Sequence, residues 1–273
     1  MEVYNVKMLH YYNGVVDTHI YSHAIESGVK VDEKKKKRKS NNVENDERKN
    51  EKKNTEKSLK NSLSRTKQKV YQYALANRWD LFVTMTFSPD MVDRYDYEEC
   101  SKVLSIWLNN LRRKYPDLYY VFVPEQHKDW AWHFHGLLGG IDGLELTNSG
   151  HKTKKGDIIY NIPSYKKGFT TATYVQDMDA VSFYLTKYIT KDLCMQTKGK
   201  KRYSVSRNLD LPMVEKYEFT VGEQLALMEE LRQDCNYESV VGCDTVPQQV
   251  RYFQNNGLVL ADTEIDELPF TDV

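Results

Sequence analysis

The sequence predicts an α+β fold: a mainly antiparallel sheet with helices packed against it. Three observations carry that prediction. β-Branched and aromatic runs alternate with helical patterns in the order α-β-α-β-β-(β-β)-α. YYVFVPEQ (119–126) and AWHFHGLL (131–138) are separated by four residues, the spacing of a hairpin and not of a crossover. No internal repeat or long apolar run points to a solenoid, a bundle or a membrane span.

The elements follow in order. Residues 1–32 form a short N-terminal segment that could fold as a hairpin around Asn13-Gly14. Residues 33–60 read as a basic disordered linker, since Val43 is the only apolar residue between Glu33 and Lys57. Lys34 to Lys39 is an unbroken run of six cations, a solvated spacer or a phosphate-binding arm. Order resumes in SLKNSLSRTKQKVYQYALANRWD, where Val70, Tyr73 and Ala74 share a helical face. LFVTMTF (81–87) is a strand ended by Ser88-Pro89-Asp90, and 98–114 is an amphipathic helix stopped before Pro116. A polar loop covers about 142–157, with short strands at 158–162 and 169–175 beyond it. Asp177 is placed to cap one helix, MDAVSFYLTKYITKDL, and the α+β domain occupies 61–213. An acidic C-terminal region, 214–273, holds a helical pattern at 222–233.

The formal net charge of zero conceals a segregation. Residues 58–213 hold 23 Lys/Arg against 16 Asp/Glu, whereas 214–273 hold 3 against 13. The middle of the chain therefore suits an anionic partner although the whole-chain charge does not. Clusters at 112–114 and 198–202 read equally as phosphate contacts or as cations favourable to helix C-termini. Four scattered cysteines form no CxxC pair, so neither a zinc knuckle nor a disulfide framework is indicated. With no signal-peptide pattern or apolar span, the expected setting is cytoplasmic, with no membrane partner.

Chemistry concentrates at two places. His133 and His135 flank Phe134 in a strand, so their imidazoles project from one face and could hold one divalent ion. Glu125 lies across the hairpin. Plain pairing around a four-residue loop sets it opposite Trp132, on the wrong face; a shift of one sets it opposite His133. In that second register the donors make a mixed N/O site suited to Mg²⁺ or Mn²⁺, with His127 and Asp129 as fallback ligands. The second place is YLTKYITK (184–191). On a helix, Tyr184 and Tyr188 share one face and Lys187 and Lys191 another, beside a packing stripe of Val181, Leu185 and Ile189. A phenol with a pKa of about 10 is a weak nucleophile unless a cation or metal assists it. A metal on the imidazoles would polarise a phosphodiester, and either lysine could neutralise phosphate or stabilise phenolate.

FVTMTF (82–87), HFHGLL (133–138) and YLTKYITK (184–191), in that order, resemble the motifs of the HUH endonuclease superfamily. The likeness is to the two-tyrosine rolling-circle replication initiators of small phages and plasmids. It implies a ferredoxin-like, RRM-like HUH domain over 61–213. It also implies a metal-dependent nickase that attaches origin DNA to tyrosine as a 5′-phosphotyrosine and religates by strand transfer. By position, His133, His135 and Glu125 become metal ligands, Tyr184 and Tyr188 nucleophiles, and Lys187 and Lys191 their assistants. The implied partners are single-stranded DNA at an origin and host helicase and polymerase in a bacterial cytoplasm. The chain has no G-x-x-x-x-G-K-[ST] of its own. Two other readings are a non-catalytic single-stranded nucleic-acid-binding module and an HUH transposase.

Overall fold

The structure is a computed structural model that describes residues 2–27, 44–242 and 248–256. β1 (Glu2–His10) and β2 (Val15–Ser27) open the chain, followed by α1 (Glu44–Leu75). Then come β3 (Leu81–Phe87), α2 (Tyr97–Lys114), β4 (Tyr119–Gln126), β5 (Trp132–Gly139), β6 (Thr147–Lys152), β7 (Ile158–Asn161) and β8 (Gly168–Tyr174). α3 (Met178–Thr186), α4 (Lys191–Gln196), β9 (Ser204–Val205) and β10 (Met213–Tyr217) follow. α5 (Val221–Gln233), β11 (Cys235–Gly242) and β12 (Gln249–Asn256) complete the described elements. The chain divides into two units, Val43–Asp210 and Met1–Asn42 with Leu211–Val273.

The first unit is built on an antiparallel sheet in the order β6-β7-β8-β3-β5-β4-β9. Its central strands have covered faces, and alternation decides which side chain meets which layer. Val83 and Met85 of β3 and Phe134 of β5 enter a buried core that includes Leu104, Trp107, Leu108 and Leu111 of α2. Asp96 caps α2 by accepting from the Glu98 N–H at 2.8 Å, and Arg112, Arg113 and Lys114 fill its last turn. Phe82, Thr84 and Thr86 take the other face of β3, where Phe82 meets Tyr184 of α3 at 5.4 Å between ring centroids. Leu185 and Ile189 are fully buried and Val181 packs beside them, as the stripe predicts.

Two stretches differ from the sequence expectation. α1 begins at Glu44 and so runs through residues 44–60, part of the expected linker. Nothing in 44–60 stops a helix: there is no Gly or Pro, and Glu and Lys are good helix formers. From Leu63 to Ala74 the helix also gains an apolar face, with Val70 and Ala74 fully buried. The six-cation run at 34–39 lies outside the described residues. The expected polar loop at 142–157 contains the edge strand β6, paired with β7 through Thr147↔Asn161 and Lys152↔Ile158. The β-turn between them is closed by a positive-φ residue: Gly156 N–H bonds Thr153 C=O at 3.0 Å, and Gly156 has φ 96°.

In the second unit the two ends of the chain, separate segments on the sequence alone, share one antiparallel sheet. Its order is β10-β1-β2-β12-β11. The hairpin expected at Asn13-Gly14 joins β1 to β2, with Gly14 at φ 82° and its N–H on Tyr11 C=O at 3.0 Å. α5 lays Leu227 and Leu231 on Val6, Met8, Ile20 and Phe253. A capping box between Thr220 and Glu223 starts that helix.

Gly136 and His19 yield two measurable consequences. A Cβ on Gly136 would overlap the ring of Phe122 on the neighbouring strand, so Gly136→Ala should cost about 1–3 kcal/mol in denaturant unfolding. His19 of β2 is buried against Tyr252, 4.6 Å between ring centroids, and burial, with Lys7 nearby, lowers its pKa from 6.5 to about 4. Between those values the unfolded chain binds the proton and the folded chain does not, so this sheet loses stability as pH falls through 6.5 toward 4. The loss should reach on the order of 3 kcal/mol. Hydrogen exchange of the β2 amides at pH 7 and pH 5 should show it, and His19→Phe should remove it.

Candidate active site

The site begins with the β4–β5 hairpin. His127 N–H bonds Ala131 C=O and Trp130 N–H bonds His127 C=O, each at 2.9 Å. Trp130 has φ 68°, which closes a three-residue loop instead of the expected four-residue one. The register becomes Gln126↔Trp132, Glu125↔His133 and Val123↔His135, the shifted alternative. On the other side of β5, Thr86 faces His133 and Thr84 faces His135. Glu125, both histidines and both threonines therefore lie on one face, opposite the side packed on α2.

Two threonine hydroxyls aim the imidazoles. Thr84 Oγ1 lies 3.0 Å from Nδ1 of His135, and Thr86 Oγ1 lies 3.2 Å from Nδ1 of His133. With the Thr84 hydroxyl donating to Nδ1, His135 donates from Nε2 to Glu125 Oε2 at 2.7 Å. His127 Nε2 lies 3.4 Å from the same Glu125 oxygen. Glu125, His127 and His135 each present a ligand atom, and these atoms all lie within 4.8 Å of one another. His127 thus joins as a ligand candidate. His133 stands beside the group, its ring parallel to that of His127 with centroids 3.8 Å apart. Asp129, the other fallback, instead braces the turn by accepting from Ala131 N–H at 3.3 Å and pairing with Arg94 at 3.5 Å.

The donor set fits a divalent cation: two imidazole nitrogens and a carboxylate, with Thr84 orienting one ring from behind. Protonation states agree. Burial pushes the Glu125 carboxyl up, but the His135 bond and the charges of His135, His127 and His133 outweigh it and hold the group below its ordinary range. Burial, with His127 and His135 close by, lowers His133 to about 4, so it is neutral at pH 7. An ionised carboxylate beside a neutral imidazole is the state metal binding requires.

The tyrosines arrive from above this face. The expected single helix breaks into α3 and α4 around residues 187–190. Lys187 N–H bonds Tyr184 C=O and Ile189 N–H bonds Thr186 C=O, both at 3.1 Å, a tightened final turn. Thr190 then caps α4, its Oγ1 accepting from Leu193 N–H at 3.1 Å. Tyr188, inside the break, lies flat on His135 with ring centroids 3.7 Å apart and planes 5° apart. Tyr184 meets Tyr188 edge-on at 5.4 Å, and Lys187 Nζ sits 5.0 Å from the centre of the Tyr184 ring. Lys191 does not share a face with Lys187. It opens α4 and approaches Glu56 of α1 at 3.9 Å, an exposed pair. Burial first, then Tyr184 and the charge of Glu125, raises the Tyr188 phenol above its ordinary pKa.

A cleft of about 520 Å³ adjoins these groups, lined by Glu125, His127, Tyr188 and Trp130 on one side and by Asp192 and Met195 of α4 on another. Thr84 and Thr86 were open to discovery in the sequence, since β3 alternates Thr with buried apolar residues; only the register links them to the histidines.

The family model of replication-associated protein ORF2 matches residues 80–193. That segment supports a replication-initiator type. The match runs from the start of β3 into α4 and includes every residue of the cluster and both tyrosines. No curated protein and no solved structure matches the chain. Among the described residues no helix is long and apolar enough to cross a membrane.

Isothermal titration with Mn²⁺ tests the ligand set. The geometry expects Glu125→Ala and His135→Ala to weaken binding most, His127→Ala next and His133→Ala least. The His-hydrophobic-His resemblance instead puts His133 level with His135. Thr84→Val should weaken binding about 10–100-fold by releasing the His135 ring.

Proposed function

We propose that this chain initiates DNA replication by nicking one strand of single-stranded origin DNA through a tyrosine. The observation that carries the reading is Tyr188 stacked on His135, which in turn bonds Glu125. A nucleophile, an N/O ligand group and an open cleft meet at one place. The match to replication-associated proteins spans that same place. The strand order β8-β3-β5-β4, with α2 crossing between β3 and β4, supports the HUH-type fold implied by the motifs.

In this reading Glu125, His135 and a further imidazole hold Mg²⁺ or Mn²⁺. The bound cation would supply positive charge that polarises the phosphodiester and eases ionisation of the phenol. The chain's own residues do the rest. His135 positions the Tyr188 ring from below and Tyr184 from its edge, which holds the phenol oxygen for in-line approach. Tyr188 Oη forms a bond to phosphorus and gives up its proton, while the P–O3′ bond breaks and the departing oxygen leaves as a 3′-OH. The retained 5′ phosphate sits on tyrosine, and attack by a later 3′-OH reverses the exchange. Tyr184, more exposed and paired with Lys187, is placed to act as the second acceptor. Host enzymes would unwind and extend the DNA.

Incubation with Mn²⁺ and origin single strands, followed by denaturing electrophoresis, tests the reading. Tyr188→Phe should reduce the first covalent adduct about a hundredfold or more, Tyr184→Phe less than tenfold, and the double variant should abolish it. An adduct that survives the double variant overturns the proposal. An adduct formed equally well with EDTA removes the role of the metal.

A further inference from the structure

Three hairpins of this chain close in the same way, with a β-turn whose last residue is at positive φ. Two place glycine there: Gly14 at φ 82° and Gly156 at φ 96°. The third, between β4 and β5, places Trp130 at φ 68°, and Trp130 is the one positive-φ non-glycine among the described residues. For a bulky side chain this backbone is unfavourable by about 1–3 kcal/mol, and the surrounding structure must hold it. Such bracing is present. Gln126 Nε2 donates to Trp130 C=O at 3.0 Å, Asp129 accepts from Ala131 N–H, and Arg94 C=O accepts from Trp132 N–H at 2.8 Å.

Packing of the indole does not offset that strain. Trp130 is 65% exposed, whereas Trp79, Trp107 and Trp132 are each 5% exposed or less. Its position is on the wall of the cleft that holds Glu125, His127 and Tyr188. Across that cleft lie Met195, half exposed, and the polar side chains of Asp192 and Gln196. A flat apolar face on a rigid tip, opposite a thioether and edged by donors and acceptors, suits a planar heteroaromatic ring. Lys128 lines the same cleft and offers charge to a phosphate.

We infer that this cleft is a nucleobase subsite in which an unpaired base next to the phosphate at Tyr188 stacks on Trp130. The inference deepens the nicking reading, on which it rests for the identity of the strand. The strained turn holds the indole as a fixed platform, so a base loses little freedom of the protein when it stacks. Base–aromatic stacking tolerates any sequence, so the subsite contributes affinity and placement of the strand, not origin choice.

Binding without cleavage tests it. In EDTA, a dT 20-mer added to the full chain should quench tryptophan emission, because one exposed indole dominates the accessible signal. A 20-mer of abasic residues, with the same phosphates and no bases, should bind more weakly and leave emission unchanged. Trp130→Gly installs the residue that the two sister turns use. It should melt no lower than wild type, lose the quench and bind the dT 20-mer about tenfold more weakly. Wild-type affinity in Trp130→Gly, an equal quench by the abasic strand, or no binding of the dT 20-mer overturns the subsite. The adduct assay separates the two ideas. A quench without any Mn²⁺-dependent adduct sinks the nicking reading alone, and an adduct with undiminished Trp130→Gly binding sinks the subsite alone.

Discussion

The pairing of Glu125 with His133 across β4 and β5 is the constraint on which the site depends. Strand side chains alternate, so a slip of one residue would turn the carboxylate toward the α2 side of the sheet. There it would be buried among Phe122, Phe134 and Trp107 with no imidazole in reach. The three-residue turn prevents that slip, and the turn exists only because Trp130 accepts a left-handed backbone. A local conformation at an exposed loop thus decides which residues meet inside the cleft.

The sheet then works as a divider between stability and chemistry. The face packed on α2 is apolar and closed, with residues such as Leu104 and Leu108 fully buried. The other face carries threonine, histidine and glutamate, satisfied by one another instead of by hydrocarbon. A polar face of this kind is stable only where α1, α3 and α4 shield its margins and leave one opening. The break between α3 and α4 serves the same end. An unbroken helix would keep residue 188 in register with residue 184 along a straight face, whereas the tightened turn lays Tyr188 flat on His135.

Charge follows the same division. The cations of the middle segment sit on exposed ends and loops, for example Lys200 against Glu98 and Lys191 near Glu56, where water screens them and their pairs add little stability. Their contribution is long-range attraction for an anionic strand. The acidic C-terminal region is partly consumed in structure: Glu223 closes a capping box, Glu215 bonds His10, and Glu238 pairs with Arg232 and Arg251.

Much of the first unit could be read along the chain. Alternation in LFVTMTF and WHFHGLL, the apolar stripe of α2 and the caps at Asp96 and Asp177 all rest on short-range periodicity and local hydrogen bonding. The two histidines, the glutamate and the two tyrosines were legible for the same reason. The register of Glu125, the entry of His127, the threonines behind the rings and the break at residues 187–190 came only with tertiary structure. A tryptophan carries no local signal for positive φ, and a helix ends where packing and a threonine cap compete with propensity. The shared sheet of the two chain ends was equally invisible, because strands some 200 residues apart pair by long-range burial, which no window of sequence contains.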